Sequence, residues 1–511
     1  MRIESSIKGW FAVVAVSVSA VSCDMLDITQ DNKLSVSNMW KTAEQVEGST
    51  YGIYSELRSN FVQSQINVFY WGELRVGEYM WGPSSLFNVW VGREVIQNTM
   101  TANITSCGWS GLYSAIDQAN AVLKYAPDTA IPMTDAKRNW AMGQAYFARA
   151  YAYFWAARLW GDVPLNLRPI ESVDQPETYP VRAPKADVYA RIGSDIESAL
   201  ALSDALGSDK YLATKTAVLM LKAEYCLWMY SAQKGGDAYL DGAEDALEAI
   251  GISPSLLCDD YGQIFDRMAD NAKPSKNSKE VVFALYNDQT ESKTGGYSWY
   301  FAFPEAYVAK GYQGNPVPIY ETQWLDYGEG FLAKLRDSRD NRGDTRVKYN
   351  LGEGDYGADG GRLTFCRKFL GDMSAGKMVL DADLIYYRAA LAVMMDAELK
   401  YYRKDYGGAL KSLNIIAKRA YGKDDYYTDA SQEAVLEALV DEYFLEFPAE
   451  GVIWWALIRL DKIWDYNDYL AANRNNTNIL LWPISKSARD KNSNLTQTVG
   501  WYLYTSNSTG T

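Results

Sequence analysis

Several long stretches carry apolar positions at helical spacing, separated by polar punctuation. Thr42-Ala43-Glu44-Gln45 has the form of a capping box, and the pattern after it predicts a helix to about Arg58. A second helix is predicted over 109–125. The strongest helical pattern runs over 134–160, where Ala alternates with aromatic residues (GQAYFARAYAYFWAARLW). It stops at Gly161-Asp162-Val163-Pro164, a glycine after the last turn followed by a proline that cannot continue the helix. Two later stretches resemble each other. Lys222-Ala223-Glu224 opens a run through Tyr230, a turn at Gly235-Gly236 and an Ala-rich helix to about Ile250. Asp396-Ala397-Glu398 opens a run through Tyr402, a turn at Gly407-Gly408 and a helix to about Tyr421. Each is a helix pair with small residues at the contact, which is the tetratricopeptide-like plan. Further helices are predicted over 382–404, 432–447 and near 454–466.

Two segments break this periodicity. The first, near 61–110, is rich in Gly, Asn and aromatic residues. The second, near 276–376, is rich in Gly, Tyr and Asp, and holds one β-like run over 280–286. Loops this long in a compact domain are usually functional or carry minor structure of their own. The expected fold is mainly α: a tetratricopeptide-like helix-pair scaffold with long irregular loops and a few short β-strands, forming one domain over 37–511.

The amino terminus reads differently. Arg2 and Lys8 precede an apolar run over 11–21 that is too short to span a bilayer and suits the h-region of an export signal over 1–22. Small residues then stand directly before Cys23, as in a bacterial lipobox, so Cys23 is the expected lipidation site and 23–36 a tether. No later stretch offers about 18 uninterrupted apolar residues. The other cysteines, Cys107, Cys226, Cys258 and Cys366, are scattered without a CxxC. They are expected as buried free thiols, with one disulfide as the alternative.

Composition narrows the chemistry. The chain has no histidine, which removes Ser-His-Asp and Cys-His nucleophile systems and HExxH zinc sites. A net charge of −14 argues against holding a nucleic-acid backbone. Carboxylate-only chemistry such as glycoside hydrolysis survives. Aromatics are abundant, with 17 Trp, 38 Tyr and 15 Phe. Sugar rings stack their C–H faces on such rings, and one stacked face is worth roughly 1–2.5 kcal/mol by area. Millimolar affinity needs about 4 kcal/mol, so two or three aromatics must share one surface.

Two loop segments are dense enough. One holds Trp71, Tyr79, Trp81, Phe87 and Trp90, interleaved with Arg75, Glu78, Asn88 and Arg93. The other holds Tyr297, Trp299, Tyr300 and Phe303, then Tyr312 and Trp324. The candidate ligand-binding residues are Trp81, Trp90, Tyr297, Trp299 and Tyr300, with Arg75 and Asn88. Tyr146, Tyr153, Trp155 and Trp160, and with them Trp454 and Trp455, are expected in the core. Glu442 and Glu446, four apart on one predicted helix with Asp441 and Glu450 nearby, are read as a solvated or salt-bridged face rather than as a catalytic pair. Asp337, Asp340, Asp344 and Glu353 offer oxygen ligands for Ca²⁺, but EF-hand spacing is absent and a solvated acidic loop is the expectation. No catalytic residue and no metal ligand is assigned.

Motifs in order along the chain resemble the SusD/RagB-like nutrient-binding outer-membrane lipoproteins of Bacteroidota. Ser22-Cys23-Asp24 with Leu26-Asp27 is similar to their lipidated start, and Asn38-Met39-Trp40 with Thr42-Ala43-Glu44 to their first helix. Glu73-Leu74-Arg75 is similar to a segment that continues with a small residue and Asp, where this chain has Gly77-Glu78. Arg158-Leu159-Trp160-Gly161-Asp162-Val163-Pro164 is the most specific match. Ser278 to Phe283, Leu413-Asn414 with Ala417 to Ala420, Glu446 to Gly451 with Leu457-Ile458-Arg459, and Trp482-Pro483-Ile484 followed by Asn494 to Gln497 continue it, closing on a divergent Thr498-Val499-Gly500-Trp501. The resemblance implies a non-enzymatic protein lipid-anchored through Cys23 on the outer membrane, facing the cell exterior. It implies a SusC-like TonB-dependent transporter as partner and a glycan or other nutrient as ligand. A carboxylate-pair glycoside hydrolase, a binder of a non-glycan nutrient such as peptide, and a helical adaptor remain as alternatives.

Overall fold

A computed structural model describes residues 39–63, 67–81, 91–265, 278–287, 300–313, 317–320, 323–371, 373–374, 377–379 and 381–501. The signal segment, Cys23 and the tether to residue 36 lie outside the described residues.

The helices are α1 (Ala43–Arg58), α2 (Asn67–Gly72), α3 (Val91–Ile96), α4 (Ser110–Tyr125), α5 (Asp135–Trp160), α6 (Lys185–Ala201), α7 (Lys215–Ser231), α8 (Ala238–Ile250) and the single turn α9 (Gly262–Phe265). After them come α10 (Glu329–Asp337), α11 (Val347–Asn350), α12 (Ala389–Tyr402), α13 (Tyr406–Tyr421), α14 (Gln432–Glu446), α15 (Ile453–Arg459), α16 (Asp468–Ala472) and α17 (Lys486–Lys491). The strands are β1 (Tyr79–Trp81), β2 (Val281–Leu285), β3 (Leu325–Tyr327), β4 (Leu351–Gly354), β5 (Leu363–Cys366), β6 (Met373–Ser374), β7 (Lys377–Met378) and β8 (Leu384–Arg388). They form four two-stranded antiparallel ladders, β1–β3, β2–β8, β4–β5 and β6–β7.

Local chemistry sets the helix ends. Thr42 accepts the Gln45 N–H while the Gln45 side chain returns to the Thr42 N–H, the capping box read from the sequence. Thr134 caps α5 by accepting the Lys137 N–H, and Gly161 ends it at φ 72°. From Ala145 on, α5 is buried almost all round, which makes it the central helix. α1 packs on α4, α4 on α5 and α5 on α6, while α7–α8 and α12–α13 form the two helix pairs seen in the sequence. Tyr153, Trp155, Trp160, Trp454 and Trp455 lie in the core as expected, and Tyr146 is half-buried against it. Cys107, Cys226, Cys258 and Cys366 are free and buried.

Three local expectations are corrected. The helix predicted over 382–404 is a strand followed by a helix: Leu384–Arg388 pairs antiparallel with β2, and α12 starts at Ala389. The strand is buried at every position, so its unbroken apolar run has no period to separate it from the helix behind it. Gly407-Gly408 is not a turn. It lies in the first turn of α13, where Asp405 accepts the Gly408 N–H. The second irregular segment contains a true helix, α10, followed by a π-turn over Ser338–Arg342.

Candidate functional site

The two aromatic-rich segments, some 200 residues apart in sequence by their numbering, are joined by one ladder. β1 pairs with β3 in the register Tyr79↔Tyr327, Met80↔Asp326 and Trp81↔Leu325. Just outside it, the Gly328 N–H donates to the Glu78 carbonyl at 2.6 Å. The second segment also folds back on itself: the Phe303 N–H donates to Pro318, the Tyr320 N–H to Phe303 and the Trp324 N–H to Tyr300. A third strip is drawn in when the Ala309 N–H donates to Tyr356 and the Ala358 N–H to Tyr307.

The segment presents both exposed and buried rings, and its exposed tyrosines are termed the ridge. Tyr307 is 52%, Tyr312 41% and Tyr320 37% exposed, while Trp324 and Tyr356 are half-buried. Tyr356 meets Tyr312 edge-on at 4.8 Å and packs on Phe365, which in turn meets Phe303. Phe301, Tyr327, Tyr79 and Phe69 form one aromatic contact network. Buried edge-to-face contacts of this kind fix ring positions. The exposed tyrosines therefore stand on rigid supports.

The sequence-predicted residues divide. Trp81 is on the ladder, its backbone opposite Leu325. Asn88, Trp90, Tyr297 and Trp299 lie outside the described residues. Arg75 and Tyr300 are corrected. Arg75 is fully buried: Nε donates to Asn98 Oδ1 at 2.7 Å, and the two Nη groups donate to the carbonyls of Leu480 and Ile479 at 2.7 and 2.5 Å. Its guanidinium lies 4.5 Å from the Trp454 ring, and burial pushes its pKa down to about 9. Its donors tie the carboxyl-terminal strip to the scaffold rather than facing a ligand. Tyr300 is 1% exposed, edge-on to Tyr70 and hydrogen-bonded to it. Trp71 and Tyr79, noted in the first segment, are buried too, with Trp71 donating to the Ser106 carbonyl. Tyr307, Tyr320 and Tyr356 went unread. Their signal was available, since all three are tyrosines amid Gly and Pro in the aperiodic segment.

The acids considered for catalysis are held in a buried ion network. Arg346 donates to Glu442 at 2.6 Å, to Glu446 at 2.9 Å and to both oxygens of Asp344. Arg388 donates to Glu280, Glu446 and Glu450, Arg419 bridges Glu280 and Glu446, and Lys368 reaches Glu450 at 2.6 Å. All five carboxylates and their cations are buried. Burial alone would raise Glu446, but Arg419, Arg388 and Arg346 outweigh it and hold its carboxyl well below the usual range. Of the two readings, solvated or salt-bridged, the salt-bridged one holds, as an internal clamp rather than a surface face. The acids weighed for Ca²⁺ behave likewise. Glu353 accepts from Arg336 and Arg339, Asp344 from Arg346 and Ser338, and Asp340 from Arg339. The expectation of a solvated acidic loop is corrected to an arginine-paired one. Among the described residues no group of three or more acidic or cysteine side chains is placed to hold a metal ion.

A cleft of about 990 Å³ lies between the first turns of α4, the loop after α5 and the 485–495 strip. Trp109, Tyr113, Asp117, Asn166, Lys486 and Asn492 are among its walls. Trp109 is 8% exposed and the Tyr113 hydroxyl donates to Pro164, so it offers little open ring surface.

Comparison with known proteins places the chain. Residues 24–226 match a family described as starch-binding, associating with outer membrane, and residues 320–501 match the SusD family. SusD-like protein P38 of Formosa agariphila is 23% identical over 472 residues, 86% of this chain and 88% of that protein. A SusD-like protein of Bacteroides ovatus is 27% identical over 280 residues, 54% of this chain and 48% of that protein. Among solved structures, NanU of B. fragilis superposes with TM-score 0.73 at 25% identity, covering 92% of this chain and 99% of NanU. A laminarin-binding SusD-like protein superposes with TM-score 0.70 at 18% identity, covering 90% of this chain and all of that one. Among the described residues no helix is long and apolar enough to cross a membrane. With its two matched segments spanning both ends of the helical scaffold, and with helix pairs and short ladders like those of the SusD-type structures, the chain belongs to the SusD/RagB family.

Proposed function

We propose that this protein captures a glycan at the outer face of the outer membrane and delivers it to a partner TonB-dependent, SusC-like transporter, anchored through lipidated Cys23. The observation that carries the reading is the ridge of Tyr307, Tyr312 and Tyr320 beside the β1–β3 ladder. Three exposed rings in one segment, stacked together on one extended ligand, would meet the affinity requirement, since each stacked face contributes roughly 1–2 kcal/mol. The laminarin-binding relative of the same fold supports a glycan as the ligand class. Trp81, Asn88, Trp90, Tyr297 and Trp299 remain proposed as ligand contacts on the sequence reading of their two segments.

The reading as a binder rather than a glycosidase is supported by how Glu442 and Glu446 are used. A glycosidase needs two carboxyls facing a substrate across a cleft, roughly 5–10 Å apart. Glu442 and Glu446 instead accept from Arg346 inside the protein. The test is retention of the protein in gels carrying single polysaccharides. The wild type is retarded by its ligand, and Tyr307→Ala with Tyr320→Ala loses that retardation. Retention unchanged in the double variant would remove the ridge from the site.

A further inference from the structure

The ladder that joins the two aromatic segments is built around three buried carboxyls. Glu73 is fully buried, Glu78 is 7% exposed and Asp326 8% exposed. Glu73 is the best served: one oxygen accepts from the Tyr79 hydroxyl and the Ala449 N–H, the other from the Gly451 N–H at 2.7 Å. Asp326, in β3 itself, accepts from the Tyr327 N–H at 2.8 Å and the Thr364 hydroxyl at 2.7 Å. Glu78, whose carbonyl accepts the Gly328 N–H at the ladder's edge, has no hydrogen-bond donor on either side-chain oxygen.

The cations that face these acids are engaged elsewhere. Lys334 faces Glu78 but is bound to Asp441. Lys368 faces Glu73 but is bound to Glu450. Arg336 faces Asp326 but is bound to Glu353. The remaining titratable neighbours oppose ionisation: Glu73 and Glu78 face each other, Glu329 faces Asp326, and Tyr327, Cys366 and Tyr466 add no positive charge. A buried carboxylate with neither a donor nor a committed cation, as Glu78 would be, is costly, and the group keeps its proton instead, while Glu73 and Asp326 have donors but no committed cation. In keeping with this, burial pushes Glu73 and Asp326 each up to about 7 and Glu78 well above the usual carboxylate range.

We propose that the β1–β3 ladder is a proton-dependent latch: it stays closed while Glu78 and its neighbours Glu73 and Asp326 are protonated, and it opens as they release their protons to water. This regulates the ridge and rests, for its consequence, on the glycan-binding reading. The closed ladder holds the two aromatic segments side by side, so ligand is held more tightly at mildly acidic pH and released more readily as pH rises.

The experiment is amide hydrogen exchange of the ligand-free protein, with opening constants corrected for the intrinsic base-catalysed rate. Each proton released on opening raises the opening constant about tenfold per pH unit. Segments 76–81 and 324–328 of the wild type are therefore expected to open at least about tenfold more readily at pH 8 than at pH 6. Glu78→Gln, which copies the protonated shape, flattens that rise. Asp326→Asn does the same in part and serves should the first variant fold poorly. A wild-type opening constant that does not change with pH, or the same rise in both variants, overturns the latch. No ligand is used, so a ridge that binds no glycan leaves this result standing, and a flat exchange profile leaves the glycan reading untouched.

Discussion

Trp81 stands opposite Leu325 across the antiparallel β1–β3 ladder, and this pairing brings two distant loop segments to one surface. Glycan binding by stacking needs several rings at one place. The ladder provides the meeting point, and the backbone bonds among Tyr300, Phe303, Pro318, Tyr320 and Trp324 fix the ridge beside it.

The exposed rings should act on binding alone. Tyr320→Ala removes a ring that is 37% exposed, and Tyr312→Ala one that is 41% exposed. Each is expected to weaken glycan binding by roughly 5- to 30-fold, the equivalent of about 1–2 kcal/mol, with the thermal midpoint unchanged. Calorimetric titration alongside differential scanning separates the two effects. A large drop in midpoint would mean that these rings support the fold.

The ion clamp should act on stability. Glu446 accepts from Arg346, Arg388 and Arg419 at once. Glu446→Gln leaves buried guanidinium groups short of a counter-charge and should cost about 3–5 kcal/mol in urea unfolding. In the folded fraction, glycan retention should persist. Loss of retention with unchanged stability would return this acid to the functional site.

Gly72 tests the close approach beneath the first segment. A Cβ there would overlap the carbonyl oxygen of Gly451, which itself sits at φ 72° against Val68. Gly72→Ala should destabilise by about 1–3 kcal/mol through overpacking. Gly48, on the exposed side of α1, meets nothing within 4 Å. Gly48→Ala should instead stabilise by up to about 1 kcal/mol, because Ala is the better helix former. Equal midpoints for the two variants would contradict this packing.

Stability should fall as pH rises from mildly acidic to neutral. Glu73 and Asp326 have folded pKa values pushed up by burial to about 7. Their ordinary unfolded values are near 4, so between roughly pH 4 and 7 the folded chain binds more protons than the unfolded one. Stability from these groups is full below the unfolded value and is lost as pH rises through the folded one, by a few kcal/mol at most for each. Glu353 works in the opposite direction. Burial opposes it, but Arg336, Arg339 and Arg362 lower it to about 2, so its contribution is lost in strong acid. Urea midpoints across this range should peak in mild acid, and Asp326→Asn should flatten the neutral side of the curve. A midpoint that climbs steadily to pH 8 would contradict the protonated ladder.

How much was legible in the sequence follows from the range of each signal. The capped ends of α1 and α5 are local, a few residues each, and Thr42 with Gln45, and Thr134 with Gly161, reveal them directly. The strand Leu384–Arg388 was hidden because burial on both faces removes the period that distinguishes strand from helix. The clamp around Glu446 was illegible, since Arg346 and Arg388 lie far away in sequence and charge pairing leaves no local pattern. Arg75 looked like a ligand contact because it sits among loop aromatics, yet its partners are carbonyls of Ile479 and Leu480 near the other end of the chain. The ridge was half legible: its segment stood out by composition, but which tyrosines face solvent depends on the Phe303–Pro318 and Phe303–Tyr320 backbone bonds.

The central claim, capture of a glycan without cleavage, is tested most directly by affinity electrophoresis of the protein through gels that each contain one polysaccharide, with the same polymers assayed for new reducing ends. The account predicts retardation by at least one polysaccharide, no new reducing ends in any, and loss of retardation in the Tyr307→Ala, Tyr320→Ala double variant. New reducing ends that vanish on changing a single carboxylate, or migration unaffected by every polymer offered, would contradict it.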